Sequence, residues 1–321
     1  MKYRIAWLTS VLVVLTALAV VSVPFVAWSP GEAVDLRGAV AVDGAGEPLS
    51  GRLSLLTIRS KQARILDVLR SWIDGDLDLI DRDLVFGDRE ADEYYAAERV
   101  TFRNQLDIST IAALQALGRD IDVGQQVLEI VPGSPADGVL EVGDVLRAVD
   151  GLAVQSLADL RTELEQREPG DEVVVELERG SRRVDVTVTL DLLESTNRPG
   201  LGVRLQTHVG EVPVDVELAD GFDSIGGPSA GLALALAIHD LLSPVDVVAG
   251  RRIAVTGRVD VDGVVGAIGG MRQKVIAAED AGADLMIVPE QQADLARATA
   301  TSVTVIGVST LDEAIAALAQ G

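Results

Sequence analysis

The sequence predicts a multi-domain α/β chain behind an N-terminal transmembrane helix, and three observations carry that reading. Residues 5–31 hold no charged side chain. From residue 119 onward, short alternating strands, Gly/Pro turns and apolar-faced helices follow one another in two blocks, 119–192 and 196–321. Within the second block an Ala/Leu run at 232–238 is apolar on nearly all sides, as a helix enclosed in a core requires.

Residues 5–28 are long enough to cross a bilayer core of about 30 Å. Lys2 and Arg4 precede them and Glu32 and Asp35 follow, so the positive-inside rule puts the N-terminus in the cytoplasm and the remainder outside the membrane. A cleavable signal peptide has a shorter apolar region, about 7–15 residues. The expectation is therefore an uncleaved anchor and cytoplasmic stub over 1–30, with Trp28 at the outer interface and Pro30-Gly31 opening a linker. Residues 31–118 read as an α+β membrane-proximal segment, with alternating strands at 34–60 and an acidic helical pattern from 61 to Gly118. They carry no motif tied to chemistry, and their expected role is to space the downstream domains from the membrane and shape access to them.

The block at 119–192 begins with a strand at 126–130, then Val131-Pro132-Gly133-Ser134-Pro135-Ala136 and Val142-Gly143-Asp144-Val145-Leu146 ahead of Asp150-Gly151. A helix at 156–166 and two alternating strands at 172–178 and 183–190 complete it. Gly133, Asp144 and Gly151 read as turn residues. The order of these segments resembles that of bacterial PDZ domains. PDZ domains bind an extended peptide, usually a C-terminus, as a strand added to the sheet. The resemblance implies a groove between the strand and the 156–166 helix, with Val123, Gly124, Gln126, Val127 and Leu128 as peptide-binding residues and the Val123-Gly124-Gln125 loop receiving the terminal carboxylate. That loop lacks the glycine-hydrophobic-glycine signature of many PDZ domains.

In the block at 196–321, lysine usage singles out one residue. Of 27 basic residues only Lys2, Lys61 and Lys274 are lysines. Arginine serves most ion pairs but cannot lose its proton near neutral pH, whereas a desolvated lysine can. Upstream lies Gly226-Gly227-Pro228-Ser229-Ala230-Gly231, leading into the Ala/Leu helix, so Ser229 stands at a helix start beside unpaired N–H groups. Ordinary N-capping is one use of such a serine; donors aimed at a developing oxyanion are another. Gly227-x-Ser229-x-Gly231 also fits a nucleophile elbow, which needs an acid and then a histidine downstream. His208 precedes the serine and His239 lies ten residues on, about 15 Å along the same helix, so neither completes a Ser-His-Asp triad in that order. A serine with a lysine base remains. A free lysine titrates near 10.4 and needs burial to reach about 7–8; Val264, Val265, Ile268, Met271, Val275 and Ile276 flank Lys274 and suit that role.

The GGPSAG turn, Val255-Thr256-Gly257, and Gly266-Ala267-Ile268-Gly269-Gly270 ahead of Lys274 resemble the proteolytic domain of Lon proteases. The resemblance implies that Ser229 is the nucleophile, that Lys274 is its general base, and that Thr256, Gly227 and Pro228 support the site. Lon enzymes usually read D-G-P-S-A-G, and here the aspartate position is Gly226.

The formal net charge of −23 and pI near 4.4 argue against a nucleic-acid partner and for a self-repelling surface. Absence of cysteine excludes disulfides and thiolate metal sites, and two isolated histidines make a histidine-rich metal site a poor fit. No Gly-Lys pair occurs, so no phosphate-binding loop is expected and neither is a cofactor. Anchor, PDZ block and Lon-like block in that order resemble membrane-anchored bacterial PDZ–Lon-like serine proteases. This implies an ATP-independent endopeptidase of the cell membrane, acting outside the cytoplasm on unfolded or flexible proteins; the resemblance also implies a homo-oligomer. The rival readings are a membrane-tethered peptide-binding scaffold with a degenerate Lon-like domain and a structural organiser of the cell envelope.

Overall fold

The computed structural model describes residues 20–46, 49–73, 75–193 and 196–320. The chain forms two units. One combines the described residues up to Leu117 with Val214–Val259 and Gly263 onward; the other is Gly118–Pro213 with Asp260–Asp262.

The first unit opens with β1 (Ser22–Asp35), β2 (Val40–Val42), β3 (Arg52–Arg64), α1 (Ile65–Ser71), β4 (Asp78–Asp81), α2 (Arg82–Phe86) and α3 (Ala91–Ala116). The second unit follows, with β5 (Val123–Ile130), β6 (Val145–Val149), β7 (Leu152–Ala153), α4 (Leu157–Glu165), β8 (Glu172–Arg179), β9 (Arg182–Thr189), β10 (Asp191–Leu193), β11 (Arg198–Gly200) and β12 (Val203–Val209). The chain then returns to the first unit with β13 (Val216–Leu218), α5 (Gly231–Leu242), β14 (Arg252–Val255), β15 (Arg258–Val259), β16 (Val265–Gly266), α6 (Met271–Asp280), β17 (Leu285–Pro289), α7 (Ala293–Thr299), β18 (Thr304–Val308) and α8 (Leu311–Ala319).

The sheet of the first unit runs β18-β17-β14-β3-β1-β4. Strands β18, β17, β14 and β3 are mutually parallel, and β1 is antiparallel to both β3 and β4. Period-2 alternation divides the side chains between its faces. Leu53, Leu55, Ile253, Val255 and Ile287 join a core with α5, while Leu56, Ala254, Met286 and Val288 join another with α6 and α7. Covered on both faces, these strands read as near-continuous apolar runs. Every residue of α5 from Gly231 to Leu241 is buried, as its Ala/Leu composition predicted. Helix α3 packs on α5 from the side opposite the sheet, contributing Phe102, Ala112 and Ala113.

Two expectations are corrected here. Residues 22–28, assigned to the transmembrane helix, lie in β1, where Val26 and Ala27 are buried between β3 and β4. A buried strand and a membrane helix share the same apolarity, and the β-branched residues and Pro24 of this stretch favour the strand. Pro30-Gly31 is no linker either. It sits in β1 where the pairing with β3 slips between Pro30 and Ala33, an irregularity that accommodates a proline without a ladder hydrogen bond. The rest of the expected anchor, 5–19, lies outside the described residues; among the described residues no helix is long and apolar enough to cross a membrane.

The domain boundaries shift for the same reason. The segment 31–118 supplies the end of β1 together with β3, β4 and α3 to the first unit and is no separate spacer. The second unit extends past the expected 119–192 to Pro213, because β12 pairs with β5 along its whole length. Its sheet runs β12-β5-β6-β8-β9 around Val127, Leu146, Leu160, Val173, Val175 and Leu201.

Candidate active site

Ser229 lies in the one-turn helix Pro228–Ala230 that feeds directly into α5. Gly227, at φ 84° and ψ 163°, turns the chain into it, a conformation open to glycine and strained for any other residue. The turn is tied from several sides. Gly227 N donates to the Glu98 carbonyl of α3 (2.9 Å), and Gly257 N donates to the Ser229 carbonyl (3.0 Å). The buried Ser109 hydroxyl of α3 reaches the Gly231 carbonyl at 3.0 Å, and Gln105 Nε2 donates to Val259 O at 2.8 Å. A Cβ at Gly231 would come within 2.5 Å of that Gln105 amide, so the last glycine of the motif makes room for α3.

Lys274 sits in the first turn of α6, which starts after Gly270 at φ 68°. The side chain is 2% exposed among Leu56, Met271 and Val275. Burial alone lowers its pKa from the ordinary 10.5 to about 7. Its Nζ donates to Thr256 Oγ1 (3.0 Å), and the Thr256 hydroxyl donates to the Ser229 carbonyl (3.2 Å). Thr256, fully buried just after β14, links the Lys274 amine to the backbone of Ser229.

Ser229 and Lys274 line one cavity of about 750 Å³. Its floor holds Gly227, Pro228, Ala267, Ile268 and Gly269; its opposite wall is β1 and β3, through Trp28, Gly31, Glu32 and residues 55–59. The structure thus brings together Ser229, Lys274, Thr256, Gly227 and Pro228. It adds residues that no sequence motif announced: Trp28, Tyr94 and Glu98 line the cavity, and Gln105 and Ser109 hold the turn that carries Ser229. The one available signal was two uncharged polar residues at i, i+4 spacing in an otherwise acidic helical stretch. Gly226 stands beside Glu98, whose Cβ would be 2.9 Å from any Cβ placed there. The departure from aspartate therefore has a steric reason.

The residues expected to bind a peptide in the second unit lie on a strand that is already paired on both edges. Val123, Gly124, Gln126, Val127 and Leu128 belong to β5, which pairs with β12 on one edge and with β6 on the other. A strand occupied on both sides cannot accept a peptide. The edge strands of this sheet are β12 and β9, and β12 is the one beside β5. Just before it runs Gly200-Leu201-Gly202-Val203, the glycine-hydrophobic-glycine signature that the Val123 loop lacked. Leu201 is buried, Gly202 has φ 75° with Ser134 filling its Cβ position, and α4 packs beside β11. Val203 and Leu205 of β12 pack on the same core as Leu160 and Leu164 of α4. The sequence reading left β12 out of this unit because the strand arrives after the block it completes.

Residues 198–320 match the family model of the Lon protease (S16) C-terminal proteolytic domain, and residues 100–190 that of the PDZ domain. The Lon protease of Trichlorobacter lovleyi is 34% identical over 117 residues, covering 35% of this chain and 13% of its own length. The Lon protease of Magnetococcus marinus is 30% identical over 212 residues, covering 63% of this chain and 26% of its own length. The periplasmic pH-dependent serine endoprotease DegQ of Escherichia coli is 33% identical over 84 residues, covering 26% of this chain and 18% of its own length. The chain spans about a quarter or less of the length of these relatives. It carries a proteolytic domain of the Lon type and, in the same polypeptide, a PDZ domain.

Proposed function

We propose that the chain is a serine endopeptidase that hydrolyses peptide bonds without ATP, with Ser229 as nucleophile and Lys274 as general base. The observation that carries this reading is an enclosed lysine, brought by burial to a pKa of about 7, in the same cavity as the serine of the Gly-x-Ser-x-Gly turn. At pH 7 about half of such amines are neutral, against fewer than one in a thousand for a free lysine.

The hydrogen bonds leave that amine ready to act. Thr256 Oγ1 accepts an N–H from Lys274 while its own hydrogen goes to the Ser229 carbonyl, so the amine lone pair stays free. It takes the Ser229 hydroxyl proton as Oγ attacks the scissile carbonyl, and the ammonium then returns the proton to the leaving amine. Water, deprotonated by the same lysine, releases the acyl group. The positive end of the α5 dipole, which begins two residues after Ser229, favours the negative charge that develops there.

The sequence holds no Gly-Lys-[Ser/Thr] loop, which is the basis for proposing independence from ATP. Substrates are then unfolded or flexible proteins, and the PDZ domain recruits them by adding a peptide C-terminus to the β12 edge. The apolar residues ahead of β1, 5–21, reach the lower limit of about 17 for a membrane span and are proposed as the anchor, with the folded units on the extracytoplasmic side.

The test is cleavage of an unstructured protein by the full chain in detergent, without ATP, beside Ser229→Ala and Lys274→Arg. Wild type is expected to cut, and both variants, folded by circular dichroism, to lose about 10³-fold or more. Equal cutting by Lys274→Arg would remove the base role, since arginine cannot accept the proton. A wild type that never cuts, even with PDZ peptides present, would leave the peptide-binding scaffold as the better account.

A further inference from the structure

A second chamber of about 490 Å³ adjoins the cavity of Ser229, and the two share Trp28, Ile58, Tyr94, Glu98, Ser224 and Gly226. Its walls are unusual for this chain. The sequence has only three tryptophans and three tyrosines, yet Trp28, Tyr94 and Tyr95 all face this chamber. Phe86 packs behind the tyrosines, with ring centroids 5.1 and 5.8 Å away, and Tyr95 is fixed by a hydrogen bond with Ser60 (3.0 Å). The aromatic wall is therefore rigid.

Two polar groups at this wall have no hydrogen-bond partner among the described residues. Trp28 Nε1 is buried without a hydrogen bond. The half-buried Glu98 carboxylate has neither a hydrogen bond nor an ion pair among the described residues; burial pushes its pKa up, and the charge of Arg89 offsets part of that rise. Other charges lie nearby, but in water: Arg89 is exposed, with its guanidinium 5.1 Å over the Tyr94 ring, and Arg99 and Asp92 are exposed at the rim. A partly desolvated carboxylate beside aromatic faces matches one ligand chemistry. A cationic side chain meets the carboxylate with charge-assisted hydrogen bonds and the rings through cation–π attraction. The position relative to the reaction is fixed as well. Gly227, two residues before Ser229, donates its N–H to the Glu98 backbone, and Glu98 Oε2 would lie 2.9 Å from a Cβ at Gly227. Gly226 and Gly227 leave the carboxylate room to face the cavity.

We infer that this chamber is a substrate subsite for a lysine or arginine side chain flanking the cleaved bond, with Glu98 as its specificity-determining residue. The inference rests on the peptidase reading of the neighbouring cavity.

The test uses the full chain and two sets of peptides, varied on either side of the cleaved bond and otherwise identical, carrying lysine, norleucine or glutamate there. In one set the wild-type kcat/KM for lysine is expected to exceed that for norleucine about tenfold. In the isosteric Glu98→Gln the ratio falls to about one, and in Glu98→Lys the glutamate peptide overtakes the lysine peptide. Fluorescence anisotropy on Ser229→Ala supplies a readout independent of turnover, with the lysine peptide binding about tenfold more tightly. A ratio at or below one in both sets, or a ratio that Glu98→Gln leaves unchanged, would overturn the inference. If wild type cuts no peptide while Ser229→Ala still prefers lysine, the subsite stands and the peptidase reading falls.

Discussion

The two walls of the candidate site come from opposite ends of the first unit, and they are specified differently. The C-terminal wall is local. Ser229, Thr256 and Lys274 each sit within a few residues of the glycines that shape their turns, and each turn leads into or out of a buried element. The N-terminal wall is built from β1, β3 and α3, and nothing in those stretches announces a site. Trp28 reaches the cavity only because β1 pairs with β3, and β3 with β14, some 200 residues later in the chain. Chemistry is written in short motifs here, while the walls that receive a substrate are written in long-range pairing.

Cutting the chain at the boundary that the sequence suggests is the strongest way to break this comparison. A chain beginning at residue 31 loses Ser22–Pro30 of β1, including buried Val26 and Ala27, and leaves β4 without its partner. Such a chain is expected to lose cooperative thermal unfolding, whereas one beginning at Val20 keeps it; circular dichroism melts decide. Intact unfolding from residue 31 would show that the N-terminal wall is dispensable.

Next in size is the cost of burying the Lys274 amine. The gap between 10.5 and about 7 for Lys274 corresponds to roughly 4–5 kcal/mol of desolvation. Between these two values the unfolded chain binds more protons than the folded one, so this group makes stability rise with pH across that window and leaves its full cost below it. Lys274→Met is therefore expected to raise stability by roughly 2–4 kcal/mol at pH 7, part of the gain being offset by the lost Thr256 bond. The advantage should shrink as pH rises toward 10; urea melts at pH 7 and pH 9.5 measure it. A destabilised Lys274→Met at pH 7 would mean that the amine contributes more to the fold than it costs.

A smaller effect is expected at Thr256. Thr256→Val keeps the shape and removes both hydrogen bonds, to Lys274 and to the Ser229 carbonyl. It should lower kcat by about 10–100-fold with little change in KM, while Thr256→Ser retains most activity. Equal loss in both variants would assign Thr256 to packing alone.

Much of the site was legible because its residues are chemically unusual for their setting. A lone lysine in an arginine-using chain, followed by an apolar stretch, and a serine at the mouth of an Ala/Leu helix point to each other without any structure. The α/β blocks were legible from alternation and glycine punctuation. Three features were not. The strand Ser22–Asp35 was read as membrane helix and linker, because apolar composition does not distinguish a doubly covered strand from a span. The edge strand β12 was left out of the PDZ block, because it follows the block and pairs backward onto β5. Glu98 escaped notice as one acid among many in a chain of net charge −23; only its contact with the nucleophile turn sets it apart.

The most direct measurement is the pH dependence of kcat/KM for a peptide substrate. If neutral Lys274 is the base, the rate rises with pH, with a midpoint near pH 7, and levels off above about pH 8. A profile flat from about pH 6 to 9, or one still climbing toward pH 10 as for a solvated lysine, would contradict the account.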